Sequence, residues 1–285
     1  MEIVVQLVIN SIIAGSIYSL IALGFTLVYS TTKFFNLAHG VLAAVGGYAA
    51  FYFIKLASPI GPAIFLSIVI AGLTGFLLDK IIFLPLRRRK ASDMVLLVAS
   101  LGAFTAIQAI LAILFTSQFQ ALSAGEVKIY EIFGAAITQV QLMIILAVVV
   151  ITAILIWMLN QTLFGKAIKA ISDDEEVAKI VGINTDKVIG YVFFIGSAIA
   201  GLAGVLVGFD TGIEPIMGMP LLLAGVIGAI VGGVGNIYGS LLGSYLLGFV
   251  ENFGIWFISG EWKSAIAFIL LILFLLFRPE GIIKK

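Results

Sequence analysis

The sequence predicts an all-α polytopic membrane protein: one transmembrane domain over residues 1–285, with about eight or nine spanning or half-spanning helices and an inverted internal repeat. Hydrophobic residues make up 62% of the 285-residue chain and charged residues only 11%, with a mean hydropathy of +1.22; soluble domains carry about 25% charged residues. Apolar stretches recur between charged clusters at lengths close to the roughly 20 residues a helix needs to cross a bilayer. Many of the 31 glycines lie inside those stretches, where they permit close helix contact and mark interruptions. A soluble chain of this length could not hide so much apolar surface in one or two cores, which excludes a cytosolic enzyme.

The apolar segments run near 4–29, 36–54, 61–84, 94–115, 140–160, 188–208, 221–235, 237–257 and 264–277. The segment 221–235 is short for a full span and reads as a half-helix or re-entrant element, which is tolerated where protein surrounds it. Lys and Arg accumulate on the cytoplasmic side of membrane proteins. With nine crossings, all of the 16 basic residues except Lys55, Lys128 and Lys263 fall on one side. That split places the chain in the cytoplasmic membrane with the N-terminus outside and the C-terminus inside. Met1 and Glu2 form no basic leader and no small-residue cleavage site follows, so the first segment reads as a retained membrane helix.

Composition narrows the chemistry further. A formal charge of +1 offers no basic field for nucleic acid. No cysteine and a single histidine leave no disulfide, no thiol nucleophile and no ligand set for zinc. No catalytic residues, metal or cofactor are expected on this chain. No G-x-x-x-x-G-K-[ST] loop occurs: Gly165-Lys166 lacks its flanking residues, and Gly233-Val234-Gly235-Asn236-Ile237-Tyr238-Gly239 has one residue too many for G-x-G-x-x-G. ATP hydrolysis, if it drives this protein, belongs to another chain.

Two polar pieces interrupt the apolar pattern. The outer loop at about 116–139, with Gln118, Gln120, Glu126, Lys128 and Glu131, is long enough for a strand pair or a short surface helix. The inner stretch at about 161–187 is the longest polar run. In it, Ser172-Asp173-Asp174-Glu175 reads as a capping box that starts a helix. Asp173, Asp174, Glu175 and Glu176 then sit at the positive end of its dipole. Val177, Ile180 and Val181 form one apolar stripe, and Gly182 stops the helix. Such a helix is either a connector lying on lipid headgroups or a docking element for a soluble partner.

Polar residues inside apolar segments are costly in lipid and should face protein or a watery path. Glu251-Asn252 is the most exceptional pair, and reads as a path-lining or gating site or as a helix-packing hydrogen bond. His39 reads as a neutral imidazole satisfying interrupted backbone or as a pathway residue. The stretch Phe35-Asn36-Leu37-Ala38-His39-Gly40, leading to Gly46-Gly47, parallels Pro215-Ile216-Met217-Gly218, leading to Gly225 and Gly228. The first runs outward and the second inward, which is the expected inverted pair.

Glu176-Val177-Ala178 followed by Gly182 resembles the E-A-A-x-x-x-G element of ABC importer permeases, with valine in place of the first alanine. More broadly, the chain resembles the permease subunits of branched-chain amino acid ABC importers, in particular the shorter of their two paired membrane subunits. The resemblance rests on Asn10-Ser11, Gly15 to Gly24, Asn36-Leu37-Ala38-His39-Gly40, Gly182-Ile183-Asn184-Thr185-Asp186-Lys187-Val188, Ala200 to Leu206, Gly232 to Gly239 and Arg278-Pro279-Glu280-Gly281. It implies a second, different permease subunit, two cytoplasmic ATPase subunits that bind ATP and Mg, an extracytoplasmic amino-acid-binding protein, and a surround of membrane lipid. Carried onto this sequence, ATPase docking falls on Asp173 to Asn184, with Glu176, Ala178, Gly182, Ile183 and Asn184 included. The pathway falls near Asn36, His39, Gly40, Gly46, Pro215, Gly218 and Gly225, joined by Glu251 and Asn252. Urea and short-chain amide importers share the pattern, and an ion-coupled secondary transporter is the rival of another class.

Overall fold

A computed structural model of the chain describes residues 2–122, 128–132 and 134–283. Met1, Glu126, Lys284 and Lys285 lie outside the described residues. In hydrocarbon every backbone polar group needs an internal partner, and helices supply it within one segment. Accordingly each of the nine apolar segments is a helix. In chain order the elements are α1 (Glu2–Thr32), α2 (Ala38–Lys55), α3 (Ile60–Leu78), which continues through a π turn (Asp79–Phe83) into α4 (Leu84–Arg88), α5 (Asp93–Phe115), α6 (Gln139–Gln161), the two short helices α7 (Leu163–Asp173) and α8 (Glu175–Ile180), then α9 (Thr185–Asp210), α10 (Gly218–Gly232), α11 (Ile237–Phe257) and α12 (Lys263–Phe277).

Among the described residues, seven helices are long and apolar enough to cross a membrane: α1, α3 with α4, α5, α6, α9, α10 with its preceding turn, and α12 with its own. The other two segments, α2 and α11, are helices of 18 and 21 residues. His39 and Lys55 in α2, and Glu251 and Asn252 in α11, lower their hydropathy. Both bury a face rich in small residues against the bundle. The segment read as a half-helix is α10, which at 15 residues is short.

The helices assemble around α1 and α9, which are mostly buried, while α6 and α12 expose most of their surface. α1 packs on α11, α9 and α10, and α9 packs on α2 and α3. Lipid tails give apolar side chains no reason to leave them for one another, so membrane helices associate by close fit through small residues. At Gly46 of α2 an added Cβ would overlap the backbone of Gly201 in α9. Backbone lies directly against backbone there.

Contacts outside the bundle sort the chain ends into two faces. On one, Lys33 donates to the Ser172 carbonyl at 2.7 Å, Arg88 pairs with Asp186 at 2.9 Å, and the amides of Ile282 and Ile283 donate to the Val231 and Gly232 carbonyls at 2.9 and 3.0 Å. On the other lies an antiparallel hairpin of β1 (Ile129–Ile132) and β2 (Ala135–Thr138), the strand pair expected of the outer loop. Gln6 holds it to α1 by bonding both polar groups of the Ala136 backbone, at 3.1 and 2.9 Å. Gln120 pairs with Ile213 on the same face. Lys33 and Arg88, two of the residues assigned to one side by basic-residue bias, therefore share a face.

The apolar segment 61–84 continues as helix to Arg88, past the point its hydropathy indicates. Pro85 has no N–H to return to the preceding turn, and the π turn, in which the Leu84 amide donates to the Asp79 carbonyl, carries the helix past it. Asp79 is fully buried and pairs with Arg87 at 2.7 Å, whose side chain is 12% exposed. Removing one partner of such a pair strands a charge. Asp79→Ala is expected to destabilise the protein by about 3–5 kcal/mol, read as a lower unfolding temperature in detergent. An unchanged melting curve would mean the pair is dispensable.

Candidate docking element and membrane-buried helix contact

The inner polar stretch folds as a projection held at both ends. Thr162 caps α7 by accepting from the Gly165 amide at 3.0 Å. Gly165 lies flush against the Met158 and Leu159 backbone, where a Cβ would not fit, so α7 turns back sharply from α6. Ile168, Ile171 and Ser172 form the buried face of α7. The expected capping box is therefore displaced: Ser172 lies inside the last turn of α7, and the cap of the next helix is Asp174. Its side chain accepts from the amides of Glu176 and Val177 at 2.8 and 3.0 Å. Asp174 wins because burial of Ser172 with Ile171 keeps residues 171–173 helical.

α8 then runs from Glu175 to Ile180 and stops at Gly182, as its sequence predicts. Gly182 has a φ of +89°, and the amides of Gly182 and Ile183 return to the carbonyls of Lys179 and Ala178 at 3.0 Å each. That is a Schellman turn, which places a glycine where other residues would be strained. Asn184 caps α9 by accepting from the Lys187 amide at 3.1 Å. Glu175 pairs with Lys179 at 2.7 Å and accepts from Thr185 at 3.3 Å. Ala178 is buried against the bundle and Ile183 is half-buried, whereas Asp173 and Glu176 are exposed. The apolar stripe faces outward: Val177, Ile180 and Val181 are 54%, 83% and 69% exposed. Three aliphatic side chains stand in the open on a rigid, acid-tipped helix on the basic face.

All nine residues that the sequence assigns to a pathway are buried. The structure brings one group of them together. Residues 33–37 link α1 to α2, and the Leu37 amide donates to Ser100 Oγ of α5 at 3.0 Å. α2 begins there, and Gly40 meets Gly218 at the start of α10, where a Cβ on either would overlap the other's backbone. From this contact α2 runs to the hairpin face, where Tyr48 packs on Phe115 with ring centroids 4.9 Å apart. α10 runs to the basic face, where Gly232 accepts from Ile283. The two interrupted segments thus start against each other and leave in opposite directions.

Asn36 and His39 lie beside that contact. The His39 ring packs under Gly24 of α1 and edge-on to Phe25, and Asn36 Oδ1 is buried without a hydrogen-bond partner among the described residues. Gly46 packs on α9, Gly225 packs on Ile21 and Ala22 of α1, and Pro215 opens the turn before α10. Glu251 and Asn252 lie elsewhere, in α11. Asn252 donates to the Gly248 carbonyl of its own helix at 2.8 Å. Glu251 Oε2 accepts from the Tyr18 hydroxyl at 2.6 Å and lies 3.5 Å from Lys263 Nζ. Tyr18 and Lys263 come from α1 and α12, so no local sequence signal could have joined them to Glu251. The Asp79–Arg87 pair also escaped the sequence, because one carboxylate at the end of an apolar run looks like its boundary.

The family described as branched-chain amino acid transport system / permease component matches residues 7–275. The chain belongs to that family. It is 31% identical to the high-affinity branched-chain amino acid transport system permease protein BraD of Pseudomonas aeruginosa, covering 98% of this chain and 95% of the relative. It is 33% identical to the corresponding permease protein LivH of Escherichia coli K12, with the same coverage. The probable branched-chain amino acid transport permease protein LivH of Methanocaldococcus jannaschii is 28% identical, covering 96% of this chain and 90% of the relative. Among solved structures, PsaBC from Streptococcus pneumoniae in complex with Fab aligns at a TM-score of 0.51 and 14% identity, covering 96% of this chain and 91% of that one. That likeness is one of fold. Membership of the family makes this chain a multi-pass membrane permease component of a transport system.

Proposed function

We propose that this permease is one membrane subunit of an ATP-driven importer that carries leucine, isoleucine and valine inward across the cytoplasmic membrane. In this reading the basic face is cytoplasmic and the hairpin face is external, so the N-terminus is outside and the C-terminus inside. A second, different permease subunit completes the membrane unit, a soluble binding protein delivers the amino acid to the hairpin face, and two ATPase subunits bind ATP and Mg beneath the basic face. The observation that carries the reading is α8, a capped helix whose Val177, Ile180 and Val181 are exposed on the basic face. Exposed aliphatic side chains on a capped projection are suited to being covered by a protein partner.

Movement of such a partner has defined routes into the membrane. α8 is coupled to α9 through the Gly182 turn and the Glu175–Thr185 bond. Arg88–Asp186 links the start of α9 to α4, and Lys33 ties the end of α1 to α7. Closure of the ATPase pair would displace α8 and shift the helices that hold the Gly40–Gly218 contact between two packed arrangements. The work comes from the partner's hydrolysis and not from this chain.

The test is uptake of radiolabelled leucine and urea into proteoliposomes holding the whole complex. The expected result is leucine uptake that needs both ATP and the binding protein. Uptake of urea alone would change the cargo and keep the machine. Uptake driven by an ion gradient without ATP would overturn the mechanism.

A further inference from the structure

A cavity of about 280 Å³ lies between α10, α11 and α12, beside α1. Most of its wall is aliphatic or aromatic: Leu221, Leu223, Ile227, Ala267 and Phe268. One end is charged. Glu251, with a side chain only 4% exposed, lines it together with Tyr18 and Lys263. The Tyr18 hydroxyl donates to Glu251 Oε2 at 2.6 Å, and Lys263 Nζ lies 3.5 Å from the same oxygen and 5.9 Å above the Tyr18 ring. Lys263 keeps 38% of its side chain exposed, so its ammonium can shift from Glu251 toward a ligand that supplies Glu251 with a new cation. The charged end lies where α11 finishes and α12 starts, on the hairpin side of the bundle.

From these features we infer that the cavity is a binding site for a zwitterionic amino acid with an aliphatic side chain. The inference rests on the branched-chain import reading and adds a place for the substrate within this subunit. A carboxylate and an ammonium held a few ångströms apart in an apolar setting match the two ends of an amino acid in reverse order. The ligand's ammonium bonds Glu251, its carboxylate bonds Lys263, and the four charges sum to zero, which an apolar setting favours. The tyrosine hydroxyl holds Glu251 in place, and the aliphatic wall takes the side chain, as in small apolar pockets with few polar groups. Urea carries neither charge, and an amine or a carboxylate alone would leave one member of the pair without its counter-ion.

The experiment measures the thermal shift of the purified complex, without its binding protein, in phosphatidylcholine nanodiscs with L-leucine, 4-methyl-2-oxopentanoate or isoamylamine. The latter two lack the ammonium and the carboxylate respectively. Leucine is expected to raise the unfolding temperature and the other two are not. Glu251→Gln and Lys263→Gln are each expected to weaken the leucine response by about tenfold or more in concentration. Lys263→Gln alters a partly exposed residue and keeps the test open should Glu251→Gln fail to fold. An unaltered leucine response in Lys263→Gln, or no response in a native complex that does import leucine, overturns the site. A native complex that imports no leucine at all instead sinks the transport reading. Phosphatidylethanolamine has the same two charges; if it co-purifies with the native chain and is lost in Lys263→Gln while leucine has no effect, the site belongs to lipid and the inference falls.

Discussion

Ile180→Asp is expected to uncouple ATP hydrolysis from transport while leaving the protein folded and inserted. Ile180 is 83% exposed, so replacing it removes almost no native contact, and exposed substitutions of this kind change stability by about 0.5 kcal/mol or less. In the proposed docked complex the ATPase covers the same position. A carboxylate placed there would be desolvated without a partner, one helical turn from the acid Glu176. Losing an apolar anchor at the centre of an interface costs about 2 kcal/mol or more, which is roughly a 30-fold loss of affinity. ATPase subunits should fail to co-purify, and binding-protein-stimulated hydrolysis should fall to background. Val177→Asp, on the same face, is expected to behave alike. Co-purification and transport at native levels in both variants would show that α8 is only a connector on the headgroups.

Gly40→Val is expected to abolish transport by a different route. A Cβ at Gly40 would overlap the Gly218 carbonyl and come within 2.7 Å of Leu222 Cβ. Both neighbours are fixed, one by backbone and one by its place in a buried helix, so α2 and α10 must part. Overpacking a close-fitted interior costs about 1–3 kcal/mol, and the branched valine adds more volume than the smallest clash requires. Uptake should fall at least about tenfold, with a lower unfolding temperature. Gly102→Ala is the control: it sits on α5 with nothing within 4 Å of its Cβ position among the described residues, and is expected to be neutral or stabilising by about 0.5–1 kcal/mol. If Gly40→Val transports as well as Gly102→Ala, the α2–α10 contact does not matter to the pathway.

The helices were legible because their ends are set by charge and length. Arg87 to Lys90 and Asp93 bracket the turn after α4, and the run 237–257 coincides with α11. The interrupted pair was legible from its glycines, since Gly40 and Gly218 sit where two backbones touch. The inner polar stretch was half legible as structure. Its stripe and its glycine stop read correctly, but two nearby residues, Ser172 and Asp174, were both chemically able to cap. Choosing between them required the burial of Ile171 and Ser172, which is set by distant elements. α7 went unread because its apolar residues cover only a few turns within a polar stretch. The Tyr18–Glu251 bond spans 233 residues of sequence, and a single sequence carries no record of such pairings.

The head-to-head start of α2 and α10 bears on how the proposed importer alternates between its two faces. Each helix leaves the contact toward its own face, so neither arm continues through to the other side. In the import reading, tilting one short arm about the glycine pair opens a passage on that arm's face while the other arm stays in place. Access then passes from one compartment to the other without a through-going pore.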